Sequence, residues 1–173
     1  QLIQMSQLAQ KQMRALITQL RPVELEGRSL SEALESWFPD YCRHNGLKGI
    51  QDIELAEKLT EAKERQLFLI IQEALANIVK HAEASIVSLS LQEESRHVAL
   101  HISDDGRGFD MSVHKQGSYG LTIMAERAEK LGGQAEIISK PGAGTTIRIH
   151  IPTFDILYKG ADDRGQDQNI AGR

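Results

Sequence analysis

Glu73, Asn77, Lys80 and His81 stand three or four positions apart in "EALANIVKHA", within a segment otherwise apolar at helical spacing. That spacing predicts a helix carrying all four polar groups on one side. A carboxylate, an amide and a cation grouped this way suit phosphate chemistry. The Asn77 amide can give one neutral oxygen to Mg2+, which keeps waters and takes its other ligands from substrate phosphates. Glu73 can orient an attacking hydroxyl or imidazole, or accept its proton. Lys80 can meet phosphate as a point charge. For any one of these residues alone, a solvated helix face is the plainer explanation.

A second group lies in "ISDDGRGFD", from Ile102 to Asp110. An EF-hand loop starting at Asp104 would need oxygen ligands at its third, fifth and twelfth places. Those places hold Gly106, Gly108 and Lys115, so calcium is excluded. A dinucleotide fingerprint would need glycine where Met111 stands, and no Gly-Lys-Ser/Thr sequence of a P-loop occurs in the chain. A hydrogen-bonded Asx turn closing a strand remains open for this stretch alone. Two more glycine sites follow, "GSYGL" opening a helix at Gly120 and "PGAGTT" between two strands. A helix N-terminus with free N–H groups suits a polyphosphate.

The elements that must position these residues follow from periodicity. Residues 1–20 have Leu2, Met5, Ala9, Met13, Leu16 and Leu20 on one stripe, and Pro22 ends that amphipathic helix. Ser29, with Glu32 three residues on, opens a second helix that Gly46 can stop. "GIQDIELA" reads as a short strand. Thr60 then caps a long helix reaching to about residue 84, with Leu67, Ile70, Ile71, Ala74, Leu75, Ile78 and Val79 as its apolar positions. From Ser85 the period changes to two. "SIVSLSLQ" and "HVALHIS" form one hairpin, and "QAEIIS" and "TTIRIHIP" another. Between them "GLTIMAERAEKLGG" is a helix with Leu121, Met124, Ala128 and Leu131 inward, ended by Gly132 and Gly133. This order predicts an α+β fold, an α/β sandwich with one mixed sheet and helices on one face.

With 173 residues, 40% hydrophobic, the chain suits one domain with an appended element. A net charge of −4 gives no basic field for nucleic acid or anionic lipid, so no direct nucleic-acid partner is expected. No run approaches the ~20 apolar residues of a membrane span, and the lone Cys42 fits a reducing compartment. The first residue is glutamine, from which we expect a piece of a longer protein.

"EALANIVKHA", "DDGRGF", "GSYGLTIMAERAEKLGG" and "SKPGAGTTIRIHIP", in that order, resemble the N, G1, G2 and G3 boxes of a histidine-kinase ATPase domain. This is the Bergerat fold shared with gyrase-, Hsp90- and MutL-type ATPases. The runs "GL..M.ER...LGG" and "S.PG.GT" are similar to sensor kinases of the NarX/LiaS/DesK type in bacterial two-component systems. "LITQLRP" with "SLSEALESWF" resembles the passage from their dimerisation helix into the ATPase domain.

The resemblance implies ATP and Mg2+ as cofactors. Asp104 would accept from the adenine amino group, with Gly106 and Gly108 leaving room for the base. Asn77 would hold Mg2+, Glu73 would be the base, and Lys80 and His81 would line the phosphate side. Gly117, Gly120 and Leu121 would form the hinge and phosphate-facing edge of the lid, and Gly142, Gly144 and Thr145 the last loop of the pocket. The implied division is residues 1–22 as the second helix of a helical-hairpin dimerisation region, 23–152 as the catalytic domain, and 153–173 as a polar tail. The implied partners are a response-regulator receiver domain and a second copy of the chain. The location would be cytoplasmic, within a parent anchored upstream.

None of the six histidines lies in the family's "LHD"-like phosphoacceptor motif. His44 ends a helix, and His97, His101 and His150 fall in strands. His114 lies in the lid, and His81 belongs to the N box. The phosphoacceptor is therefore expected upstream of this sequence. Two other functions stay open: an anti-sigma-factor-type serine kinase on the same fold, and a nucleotide-binding module without transfer. The helix at 1–20 with "LRP" argues against the first, and Glu73, Asn77 and Asp104 against the second.

Overall fold

Ser29 opens the first described helix, α1 (Leu30–His44), through a reciprocal capping box. Its hydroxyl accepts from Glu32 N–H at 3.3 Å, and the Glu32 carboxylate accepts from Ser29 N–H at 2.8 Å. We describe the chain from a computed structural model, which places residues 22–56, 59–112 and 119–153. The predicted helix at 1–20, Gly117, His114 and the tail beyond Thr153 lie outside those residues.

Helix α1 runs through Pro39. Proline has no N–H, so the carbonyl of Glu35 one turn earlier loses its helical partner. Gln51 of strand β1 (Lys48–Glu54) supplies a replacement, donating from Nε2 at 3.3 Å. The contact fixes α1 against the sheet. Gly49 packs so closely below it that a Cβ there would stand 2.8 Å from Cys42 Sγ. The Cys42 thiol is buried, and burial raises its pKa to about 11, which leaves it unreactive.

Thr60 caps helix α2 (Glu61–Asn77), accepting from Lys63 N–H at 3.4 Å. Two charged residues in its first turn are buried. Glu64 accepts from Leu30 N–H at the start of α1, and the Lys63 ammonium donates to Thr153 O at 3.0 Å, where the last strand ends. The α-helical period predicted to about residue 84 stops at Asn77. Ile78–Ala82 is a π turn, and Glu83 closes it in the left-handed region at φ 55°.

Strands β2 (Ile86–Glu94), β3 (His97–Asp104), β4 (Gln134–Ser139) and β5 (Thr145–Pro152) complete a five-stranded sheet in the order β1-β2-β3-β5-β4. β1 and β2 are parallel, joined across α2, and the remaining pairs are antiparallel. The sheet is mixed, as the sequence predicts. Helix α3 (Tyr119–Lys130) crosses between β3 and β4 with Met124 and Ala128 buried, while Leu121 and Leu131 pack half-buried against the core. The three described α-helices cover one face, and their apolar stripes meet Val87, Leu89, Leu91, Val98, Leu100, Ile102, Ile147, Ile149 and Ile151. Among the described residues no helix is long and apolar enough to cross a membrane.

Candidate nucleotide site

The two aspartates of "DDGRGF" have opposite surroundings. Asp105 is exposed and closes the strand ends. Its Oδ1 accepts from Ser85 N–H and Ile86 N–H, both at 2.8 Å. Those backbone donors, Ile86 before Ser85, hold its carboxyl below the usual aspartate range. Asp104 is 8% exposed and turns to the helix-covered face. Burial pushes its pKa up, against the opposing pull of backbone donors Gly106 and Thr145. Its Oδ1 accepts from Gly106 N–H at 2.8 Å. A buried carboxylate at a strand end, flanked by glycines, is a ready acceptor for a ligand donor.

The loops around Asp104 are joined main chain to main chain. Arg107 N–H donates to Ala82 O at 2.7 Å, tying this loop to the end of the π turn. Gly142 N–H donates to Arg107 O at 2.6 Å, tying it to the β4–β5 loop. Gly108, at φ +58°, lies where a Cβ would run into Lys140 O, and Gly144, at φ +70°, where it would run into Asp104 O. The room left by glycine at these two places is taken up by the protein's own backbone. At Gly106 a Cβ would come 2.7 Å from both Ala82 Cβ and Asp104 Oδ1. Gly142, at φ +77°, faces open space.

Ser139 was not singled out from the sequence, yet it holds this region together. Its hydroxyl donates to Gly144 O at 2.9 Å, accepts from Phe109 N–H at 3.0 Å, and lies 3.0 Å from Thr145 Oγ1. The available signal was period two: Ser139 follows Ala135 and Ile137 on the inner face of β4, where a polar residue needs a reason.

At the other end, Glu73 and Asn77 are half-buried on the last turns of α2. Gly120, in the first turn of α3, fits against them, and a Cβ there would stand 3.1 Å from Asn77 Nδ2 and clash with the Glu73 carboxylate. Two turns along each helix, Arg127 of α3 donates to Gln66 of α2 at 2.6 Å. Burial lowers the Arg127 pKa, with the Glu73 and Glu126 carboxylates opposing it. Sequence spacing alone hid this pair, because it joins two helices 61 residues apart. Lys80 and His81 lie exposed on the π turn, out of the α-helical phase that placed them with Glu73 and Asn77. Leu121 is half-buried against the core.

Among the described residues, no group of three or more His, Cys, Asp or Glu could cage a metal ion. Asn77, an amide beside a carboxylate, fits a different kind of site: Mg2+ that enters with a polyphosphate and keeps its waters.

Residues 62–155 match the family described as "Histidine kinase-, DNA gyrase B-, and HSP90-like ATPase". The chain belongs to this family, and its sheet with one helical layer is an ATP-binding domain. Among curated proteins it is 40% identical over 156 residues to "Sensor histidine kinase LiaS" of Bacillus subtilis (strain 168), covering 90% of this chain and 43% of that one. It is 38% identical over 142 residues to "Signal transduction histidine-protein kinase/phosphatase DegS" of Brevibacillus brevis, covering 82% and 37%. The chain thus spans less than half the length of these relatives. Among solved structures, the blue-light activated histidine kinase of Erythrobacter litoralis EL346 shares the fold, with a TM-score of 0.64 at 21% identity over 86% of this chain and 50% of that one.

Proposed function

We propose that the chain is the ATP-binding catalytic domain of a two-component sensor histidine kinase. In this reading the γ-phosphoryl of ATP passes to a histidine upstream of the sequence and then to an aspartate of a response-regulator receiver domain. The observation that carries it is the buried Asp104 carboxylate at the end of β3, held by Gly106 N–H among loops joined main chain to main chain. Asp104 accepts from the adenine amino group. Thr145, Gly142 and Gly144 shape the loop beside it, and Gly106 and Gly108 let that loop close.

At the far end Glu73 receives the imidazole proton as the nitrogen–phosphorus bond forms and the bond to ADP breaks. Asn77 would hold Mg2+, whose charge offsets that of the phosphates. Lys80 and His81, exposed on the π turn, face solvent from which the phosphates arrive. Gly117, Gly120 and Leu121 form the hinge of a lid. Residues 1–22 serve as the second dimerisation helix, 23–152 as the catalytic domain and 153–173 as a tail. The working form is a homodimer with its catalytic part in the cytoplasm.

The test is calorimetric titration with ATP in the presence and absence of Mg2+. The Asp104→Asn variant should bind ATP about 100-fold more weakly, as expected for a lost charge-assisted hydrogen bond. Unchanged affinity would remove the adenine assignment. In the full-length protein, phosphate from labelled ATP should be acid-labile. An acid-stable label would point to the serine-kinase alternative, and no label with intact ATP binding to a non-catalytic module.

A further inference from the structure

The inner face of the sheet ends in a polar row across three strands, Asp104 on β3, Thr145 on β5 and Ser139 on β4. The preceding row is apolar: Ile102, Ile147 and Ile137. Direct cross-strand neighbours stand about 5 Å apart, so the three side chains share one edge. Ser139 is 7% exposed, and its oxygen has the three partners already described.

A hydroxyl has one proton and two lone pairs, and here each is assigned. Gly144 O can only accept, so it takes the Ser139 proton. Phe109 N–H can only donate, so it fills one lone pair. The second lone pair can then be met by Thr145 only if Thr145 donates. The Thr145 proton is thereby committed to Ser139, and the other side of its oxygen presents lone pairs alone. The neighbouring Asp104 carboxylate, with Gly106 N–H on its Oδ1, is an acceptor too.

We propose that Ser139 is a specificity-determining residue: by fixing the Thr145 proton it makes Asp104 and Thr145 an all-acceptor edge. Such an edge selects a base presenting an amino donor and rejects one presenting an oxo group at the same place. Ser139 touches no nucleotide atom in this scheme and acts through Thr145, so it is a positioning residue. The inference rests on the adenine-facing role given to Asp104 under Proposed function.

The test compares binding of ATP and inosine triphosphate, whose base carries an oxo group where adenine carries the amino group. Wild-type chain should prefer ATP. Ser139→Ala frees the Thr145 proton to donate to the oxo group, so the ATP-to-ITP affinity ratio should fall about tenfold. Ser139→Cys, with a weaker acceptor of similar size, should move the ratio the same way, and Ser139→Thr should keep it at the wild-type value. If the alanine variant fails to fold, the cysteine and threonine variants carry the comparison. Equal weakening of both nucleotides by alanine and cysteine would mean that Ser139 only supports the loop, and would overturn the inference alone. Absence of ATP binding by the wild-type chain would overturn the adenine reading, and this one with it.

Discussion

Around Asp104, main chain closes on main chain; around Glu73 and Asn77, side chain meets side chain. At the first end, Arg107 bonds Ala82, Gly142 bonds Arg107, and Gly108 and Gly144 lie directly against carbonyl oxygens. At the second, Gly120 faces a carboxylate and an amide, both half-buried and both on rotatable bonds. Backbone cannot shift one atom without moving its neighbours, whereas a side chain can change rotamer. In the proposed reading the Asp104 end, which would face the base, is thus preorganised, as recognition of a rigid planar group requires. The Glu73 and Asn77 end, assigned to the phosphates in the same reading, can adjust by rotamer change.

The same substitution should separate the two ends. Gly144→Ala adds a Cβ at φ +70° and inside the Asp104 carbonyl, combining left-handed strain with overpacking. The combined cost should be about 3 kcal/mol or more, read as a lowered urea midpoint. Gly120→Ala places its Cβ against Glu73 and Asn77 but within a helix, where alanine gains up to about 1 kcal/mol over glycine. Its stability should change by less than about 1 kcal/mol, while phosphoryl transfer by the full-length protein falls about tenfold through the displaced carboxylate. A Gly120→Ala protein as unstable as Gly144→Ala would erase the distinction.

The adjacent aspartates sharpen it through pH. Burial raises the folded-state pKa of Asp104, so its stabilising contribution is complete below the ordinary aspartate value and is lost as pH rises through the raised one. At neutral pH Asp104→Asn should therefore unfold at a higher denaturant concentration than wild type, even though it loses ATP. That gain should shrink in acid. Backbone donors lower the pKa of Asp105, so its contribution is present above the ordinary value and is lost as pH falls through the depressed one. Asp105→Asn should be less stable than wild type at neutral pH, with the gap closing in strong acid. Denaturant titrations of both variants across that range check the sign. The same sign for both would contradict the opposite surroundings described here.

These contrasts were partly legible in the sequence. The period-two runs gave all four later strands, and Ser29 with Glu32 gave the start of α1, because capping and alternation are local signals. Order and glycine spacing pointed to Asp104, though not to the division of labour with Asp105, which depends on where two neighbouring strand ends lie. The π turn escaped a reading based on 3.6 residues per turn, since its apolar residues Ile78 and Ala82 also satisfy an α-helical period. Lys80 and His81 consequently stand on the π turn and not on the α-helical face read from their spacing. Pro39 is tolerated inside α1 in part because the carbonyl it frees at Glu35 accepts from Gln51, a residue on another element. The bond from Phe109 to Ser139 and the Arg127–Gln66 contact were hidden because they join positions 30 and 61 residues apart.

The smallest effect is expected where the two ends join. Glu83 closes the π turn at φ 55°, and its carboxylate pairs with Arg107 of the Asp104 loop at 3.2 Å. The pair is exposed, with side chains 61% and 78% accessible, so water screens most of its attraction. Exposed pairs of this kind contribute about 0.2–1 kcal/mol. A non-glycine residue in the left-handed region costs about 1–2 kcal/mol. Relief of strain should therefore exceed loss of the ion pair, offset in part by the extra freedom glycine gives the unfolded chain. Glu83→Gly should raise stability by about 0.5 kcal/mol and leave ATP affinity unchanged, because the Arg107 N–H bond to Ala82 O persists. A fall in stability, or weaker ATP binding, would mean that the Glu83–Arg107 pair and not the backbone bond holds the two ends of the site together.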